Sequence, residues 1–122
     1  MPGVYDAMSA WFATQAGFEA VFVSGSALAY SRLARPDTNL LTVSEMADAV
    51  ARIRERVAVP ILVDADSGHG NALNVQRTVR LFERAGACAV QIEDQVNHKP
   101  VASPTSRPLV SCEEMVGKIK AA

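Results

Sequence analysis

Acidic side chains follow two apolar segments of this chain at the points where those segments end. Asp64 and Asp66 come directly after Ile61-Leu62-Val63, and Glu93 follows Ala89-Val90-Gln91-Ile92. An acid held against a hydrophobic sheet is costly unless positive charge neutralises it, so we expect these acids to share a cation rather than to act as three separate caps. Hard oxygen ligands favour Mg²⁺, with Mn²⁺ as the alternative. One carboxylate would bind the ion directly and the others would hold its waters.

The residues around these acids also have simpler interpretations. Asp66 on its own would cap the next helix, and Asp94 would be a salt-bridge or loop residue. His69 stands between two glycines, where it would be either an acid–base group or a solvent-facing loop residue. The glycines let the backbone turn sharply and approach a ligand. The sequence "SGHG" is no phosphate loop, because the Walker spacing and its lysine are absent.

A group of small residues, Ser24-Gly25-Ser26, follows the apolar segment Val21-Phe22-Val23. Successive backbone N–H groups beside Gly25 could receive a carboxylate. Ser24 alone would otherwise be an N-cap or turn residue.

Short apolar segments alternate with helical patterns along the whole chain. Wholly apolar segments are typical of parallel strands covered on both faces, which would bury Cys88 beside the last of them. The predicted strands are a weak first one at Pro2–Tyr5, then Val21–Val23, Ile61–Val63 and Ala89–Ile92. The predicted helices are Ala7–Ala16 after an Asp6 cap, one opened by the capping box Thr42–Glu45, Asn71–Ala85 ended by Gly86, and one opened by a second capping box at Ser111–Glu114.

Four βα units fit either a small doubly wound sheet or half of a (β/α)8 barrel. A complete barrel needs roughly 200 residues or more, and this chain has 122. We therefore expect residues 1–122 to form one domain, the N-terminal half of a barrel, from a truncated chain. In parallel α/β folds the carboxyl ends of the strands lie at one edge, so the acids named above would be neighbours.

Bulk composition excludes several classes of protein. A net charge of −1 does not favour electrostatic binding to nucleic acid or to an anionic membrane. The chain has neither a run of about 18 apolar residues nor a signal-peptide pattern, so we expect a cytoplasmic protein. Cys88 and Cys112 have no metal-binding spacing, and no disulfide is expected.

Five segments together resemble the isocitrate lyase/phosphoenolpyruvate mutase superfamily: "PGVYDAMSA", "GFEAVFVSGSALA", "RPDTNLLTVSEM", "VPILVDADSGHGNALNV" and "AGACAVQIEDQ". The resemblance implies a (β/α)8 TIM-type barrel that acts on small 2-keto or hydroxy acids. It also implies that Mg²⁺ stabilises an enolate-like intermediate, and that the protein is a homo-oligomer, a tetramer in the family.

The resemblance further implies roles for particular residues. The metal-site acids would be Asp64, Asp66 and Glu93, and the carboxylate cradle would be Ser24, Gly25 and Ser26. Asp37 would lie near the waters of the metal, and Tyr5 would be a wall of the pocket. Lys99 stands where phosphonate-handling members carry a lysine, or is an exposed loop lysine.

The loop after the fourth predicted strand, "EDQVNHKPVASPTSRPLVS", bears on the reaction. It lacks the Lys-Lys/Arg-Cys-Gly-His signature of the C–C lyases. It also departs from the phosphonate-handling pattern at His98 and Val101. Oxaloacetate decarboxylation is therefore the expected reaction. The alternatives are P–C chemistry of the phosphonopyruvate/phosphoenolpyruvate mutase type, (methyl)isocitrate cleavage, and a non-enzymatic half-barrel that pairs through its sheet edge.

Overall fold

The structure, a computed structural model, describes residues 1–96 and 107–122. Lys99, His98 and Val101 lie outside the described residues, so their predicted roles are not tested. The elements in chain order are β1 (Gly3–Val4), α1 (Ala7–Gln15), β2 (Val21–Val23), α2 (Gly25–Leu33), α3 (Val43–Arg56), β3 (Ile61–Asp64), α4 (Ala72–Ala85), β4 (Ala89–Gln91) and α5 (Cys112–Ala121).

The four strands form one parallel sheet in the order β1-β2-β3-β4. Val23 pairs with Val63, and Val63 pairs with Val90, so the carboxyl ends of β2, β3 and β4 lie side by side. This order runs in one direction without reversal, whereas a doubly wound sheet reverses at a switch point. The predicted α/β fold is confirmed, and the strand order is that of a barrel rather than of a doubly wound sheet.

The core lies between the sheet and its helices. Val21, Val23, Ile61 and Val63 are fully buried. Helix α3 supplies Met46, Val50 and Ile53, which recur at helical spacing, and all three are buried. Helix α3 packs against both α1 and α4, which fixes the order of the helices outside the sheet.

Most predicted helix ends are confirmed. Asp6 caps α1, and Gly86 ends α4 with a φ of 100°. At the start of α3 the Thr42 N–H donates to Glu45 Oε2 at 2.8 Å, and this hydrogen bond lowers the pKa of Glu45. The second predicted capping box is only half present. Ser111 accepts from the N–H of Glu114 at 3.1 Å, but the Glu114 carboxylate pairs with Lys118 instead.

Two predictions about local structure are wrong. The sequence interpretation contained no helix directly after β2, yet Ser24 caps α2 there and Gly25 begins it. Cys88 was expected in the core but is exposed. The reason is that β4 pairs with β3 alone within the described residues, and Ala89 and Gln91 are exposed with it. No helix in the described ranges has the length and apolar character needed to cross a membrane.

Candidate functional site

The Asp64 carboxylate lies at the carboxyl end of β3 and is 7% exposed. Its Oδ2 accepts a hydrogen bond from the N–H of Gly25 at 3.2 Å, and its Oδ1 accepts one from the N–H of Asp66 at 3.1 Å. Gly25 is the first residue of α2, so this carboxylate lies where unsatisfied N–H groups and the helix dipole favour negative charge. The missed helix therefore helps to explain how an acid is tolerated beside the sheet.

Gly25 is the residue that permits this close approach. A Cβ atom built on Gly25 would lie 3.1 Å from Asp64 Oδ2 and 3.8 Å from Met46 Cε. A larger residue would push the carboxylate away from the helix. Of the three residues of the predicted cradle, Gly25 thus donates to a carboxylate of the chain itself.

Asp66 is 4% exposed and has a φ of 47°, in the left-handed region. Its carbonyl accepts from the N–H of Glu93 at 2.7 Å, which joins the segments that follow β3 and β4. The alternative role for Asp66, as a helix cap, is wrong because Asn71 caps α4.

The loop from Ser67 to Gly70 is tightly packed against α4. A Cβ on Gly68 would collide with Val75 Cγ2, and one on Gly70 would collide with the Asn74 side chain. The His69 ring, which is partly buried, meets Phe82 edge-on with the ring centroids 6.3 Å apart. His69 is therefore packed against the core rather than fully solvent-facing.

The structure describes four further residues that the sequence assigned to the site. Ser24 Oγ accepts from the N–H of Ala27 at 3.3 Å, which is its N-cap role, and Ser26 is partly buried. Asp37 is partly buried between α2 and α3, and Tyr5, which follows β1, is 41% exposed. The roles of these four residues in binding or catalysis stay predictions.

The donor chemistry of the site fits a magnesium ion. In the part of the chain that the structure describes, no three or more His, Cys, Asp or Glu side chains form a group able to hold a metal ion. Mg²⁺ is commonly held by one or two carboxylates, with water and substrate completing its octahedron, and it needs no cage of protein ligands. Asp64 and Asp66 supply buried oxygen donors of that kind. Glu93 as a third metal-site acid stays a prediction.

Two residues that contact the loop were missed from the sequence. Thr78 of α4 donates to the Gly68 carbonyl at 3.2 Å, and Lys118 of α5 donates to the Ser67 carbonyl at 3.1 Å. Neither residue belongs to a recognisable sequence motif. Each one donates to a backbone carbonyl that is distant in sequence, so residue spacing does not reveal the contact. A lysine on the inner face of a helix is detectable only once that face is known.

The chain matches the family model described as phosphoenolpyruvate phosphomutase over residues 1–122. It is 49% identical over 121 residues to 2,3-dimethylmalate lyase of Eubacterium barkeri, which covers 99% of this chain and 42% of that protein. It is 51% identical over 121 residues to 2-methylisocitrate lyase of Aeropyrum pernix, covering 99% and 39% respectively. It is 43% identical over 122 residues to oxaloacetate decarboxylase of Paraburkholderia xenovorans, covering 100% and 41%.

A solved structure of phosphonopyruvate hydrolase in complex with oxalate and Mg²⁺ superimposes with a TM-score of 0.90 and 37% identity. The match covers 99% of this chain and 41% of that one. The chain thus spans about two fifths of the length of the curated relatives reported above. Its four strands correspond to part of a TIM barrel, as the sequence predicted. The chain belongs to the phosphoenolpyruvate phosphomutase family.

Proposed function

We propose that this chain forms the metal- and carboxylate-binding part of a Mg²⁺-dependent lyase for small 2-keto dicarboxylic acids, with oxaloacetate decarboxylation as its reaction. The observation that carries the proposal is the pair of buried carboxylates, Asp64 and Asp66, of which Asp64 accepts a hydrogen bond from the first residue of α2. The relative named oxaloacetate decarboxylase and the structure titled as a complex with oxalate and Mg²⁺ support it.

Individual residues of the chain would have distinct roles in this reaction. Asp64 and Asp66 would hold the ion, which when bound would neutralise negative charge developing on the keto oxygen of the substrate. The Gly25 N–H keeps the Asp64 carboxylate oriented through a hydrogen bond of 3.2 Å. Buried side chains around β3 would exclude bulk water, which strengthens every charge interaction at the site.

Asp64→Asn is the direct test of this proposal. We expect it to weaken Mn²⁺ binding by at least tenfold, because the amide keeps the shape of the side chain but carries no charge. Pyruvate release from oxaloacetate with Mg²⁺ should fall with it. Free Mn²⁺ is measured by electron paramagnetic resonance during titration, and circular dichroism checks folding. Asp94→Asn is the matched control, since Asp94 is an exposed acid on the next strand connection. Unchanged Mn²⁺ affinity in Asp64→Asn would show that the assignment is wrong.

Cleavage of a C–C bond in a hydroxy acid is the second candidate reaction. The identities of 49% and 51% to the two lyases named above favour it. Mutase- or hydrolase-type P–C chemistry is a third, supported by the structural match to phosphonopyruvate hydrolase. Assays with oxaloacetate, 2-methylisocitrate, 2,3-dimethylmalate and phosphonopyruvate under one set of conditions rank the candidates by kcat/KM.

Assembly of the chain as a half-barrel, the non-enzymatic alternative, rests on one separate observation. Within the described residues, β1 and β4 each pair with one strand only. Two copies would bring together the eight strands of a closed barrel, so we propose a homo-oligomer as the form in which the chain works.

A further inference from the structure

A lysine on α5 lies buried beside the loop that follows β3. Lys118 is 3% exposed, and its Nζ donates to the Ser67 carbonyl oxygen at 3.1 Å. The same ammonium pairs with Glu114 Oε1 at 3.2 Å, one helical turn earlier. Because burial of an ammonium is costly unless it is hydrogen-bonded and paired, these contacts fix where the side chain lies.

The loop that Lys118 contacts needs support from outside itself. Asp66 has a φ of 47° and His69 a φ of 59°, and both are non-glycine residues in the left-handed region. Gly68 and Gly70 between and after them also have positive φ. Strained backbone of this kind persists only where the surrounding structure holds it.

Two helices hold successive carbonyl groups of this loop. Lys118 of α5 donates to Ser67, and Thr78 of α4 donates to Gly68 at 3.2 Å. Ser67 follows Asp66 directly, so the lysine fixes the residue next to a buried acid of the candidate site. Helix α5 also packs against α4, and the two contacts therefore belong to one packed unit.

We propose that Lys118 is a positioning residue, which holds the Ser67 carbonyl and thereby keeps Asp66 in place for the ligand. The effect of Lys118 on ligand binding rests on the function proposed above, in which Asp66 is one of the acids that hold the metal. Its effect on the loop rests only on the contact between Nζ and Ser67.

The test of the loop contact is amide hydrogen exchange by nuclear magnetic resonance, without added metal. The reporter is the Gly68 N–H, which donates to the Ala65 carbonyl at 2.8 Å. Loss of a hydrogen bond from a charged donor should speed its exchange about tenfold in Lys118→Met. Lys120→Met is the control, since Lys120 is exposed two residues further along the same helix. Amides of α1 report any change in global stability.

Faster exchange at Gly68 alone, with partial recovery in Lys118→Arg, supports the proposal. Unchanged exchange at Gly68 overturns it. An equal acceleration in α1 also overturns it, because Lys118 would then stabilise the whole fold rather than the loop. If Lys118→Met does not fold, Lys118→Gln replaces it, because glutamine has a shorter and uncharged donor. The exchange rates at Gly68 and in α1 are then compared in the same way.

Mn²⁺ titration then tests whether the loop is coupled to the site. We expect affinity to fall about tenfold in Lys118→Met and to stay constant in Lys120→Met. If Lys118→Met binds Mn²⁺ with unchanged affinity although its Gly68 amide exchanges faster, the loop is not coupled to the metal site. If the unmodified chain binds no Mn²⁺, the metal proposal itself fails, and the exchange result alone decides whether Lys118 positions the loop.

Discussion

At the scale of one residue, Gly68 shows that the loop after β3 leaves no space for a side chain. Its φ is 90°, and an added Cβ would collide with Val75 Cγ2 in the core. Gly68→Ala should therefore lower the free energy of unfolding by about 2–4 kcal/mol, the combined cost of a left-handed alanine and of overpacking. Urea unfolding followed by circular dichroism measures the change.

Gly117 provides the matched control for this prediction. It lies within α5, and a Cβ there would meet nothing within 4 Å. Gly117→Ala should raise the free energy of unfolding by about 0.5–1 kcal/mol, because alanine loses less backbone entropy in a helix. A Gly68→Ala protein as stable as the unmodified chain would refute the collision.

At the same scale, the sequence predicted the positions of two acids of the candidate site but not their contacts. Asp64 and Asp66 were predictable because they end an apolar strand, a pattern of composition and position. The hydrogen bond from Gly25 to Asp64 spans 39 residues. It depends on the pairing of β2 with β3 and on a helix that begins directly after β2, and neither is visible in residue spacing.

Arg54 joins three elements at the end of the sheet opposite to the acids. Its Nε donates to Gly86 at 3.1 Å, its Nη1 to Val57 at 3.2 Å, and its Nη2 to Val59 at 3.0 Å. These carbonyls belong to the C-terminal ends of α3 and α4 and to the segment before β3. Arg54→Ala should therefore cost about 2–4 kcal/mol of unfolding free energy, since charged donors make the stronger hydrogen bonds. Thermal and urea unfolding measure this loss.

Arg54→Lys should recover little of that loss, because an ammonium cannot reproduce the planar fork of donors. Arg52→Ala is the control and should change unfolding free energy by less than about 0.5 kcal/mol. Arg52 pairs with Asp48 at 2.9 Å, and its side chain is 70% exposed. Full stability in Arg54→Lys would mean that charge alone, rather than geometry, joins these elements.

Element prediction succeeded where local chemistry decides the outcome. Helices α1, α3 and α4 have N-capping residues that act within one turn, and a glycine with positive φ follows α1 and α4. Helix α2 was missed because Ser24, Gly25 and Ser26 were interpreted as a carboxylate cradle at a strand end, although Ser24 caps a helix that Gly25 begins. Helix α5 was found, but Ile119 is exposed while Lys118 is buried, since long-range contact to Ser67 overrides local hydrophobicity.

The sheet formed by the described residues is open at both edges. Within the described residues β1 has only β2 beside it and β4 has only β3, and the burial of β4 is low. Unpaired strand edges are templates for pairing with another chain. The strands of the core were predictable from apolar segments, but the exposure of β4 was not, because burial depends on what lies beside a strand rather than on its own residues.

Association of the chain through these edges is therefore expected at micromolar concentrations. Sedimentation velocity over a concentration series should show a dimer, in which each β4 pairs with β1 of the other copy and eight strands close one barrel. Ala89→Lys should shift the equilibrium toward monomer, because a charge on the exposed face of β4 opposes pairing. Ala58→Lys, on an exposed residue of the connection before β3, should leave association unchanged. A folded monomer at every concentration would contradict pairing of two copies through these edges.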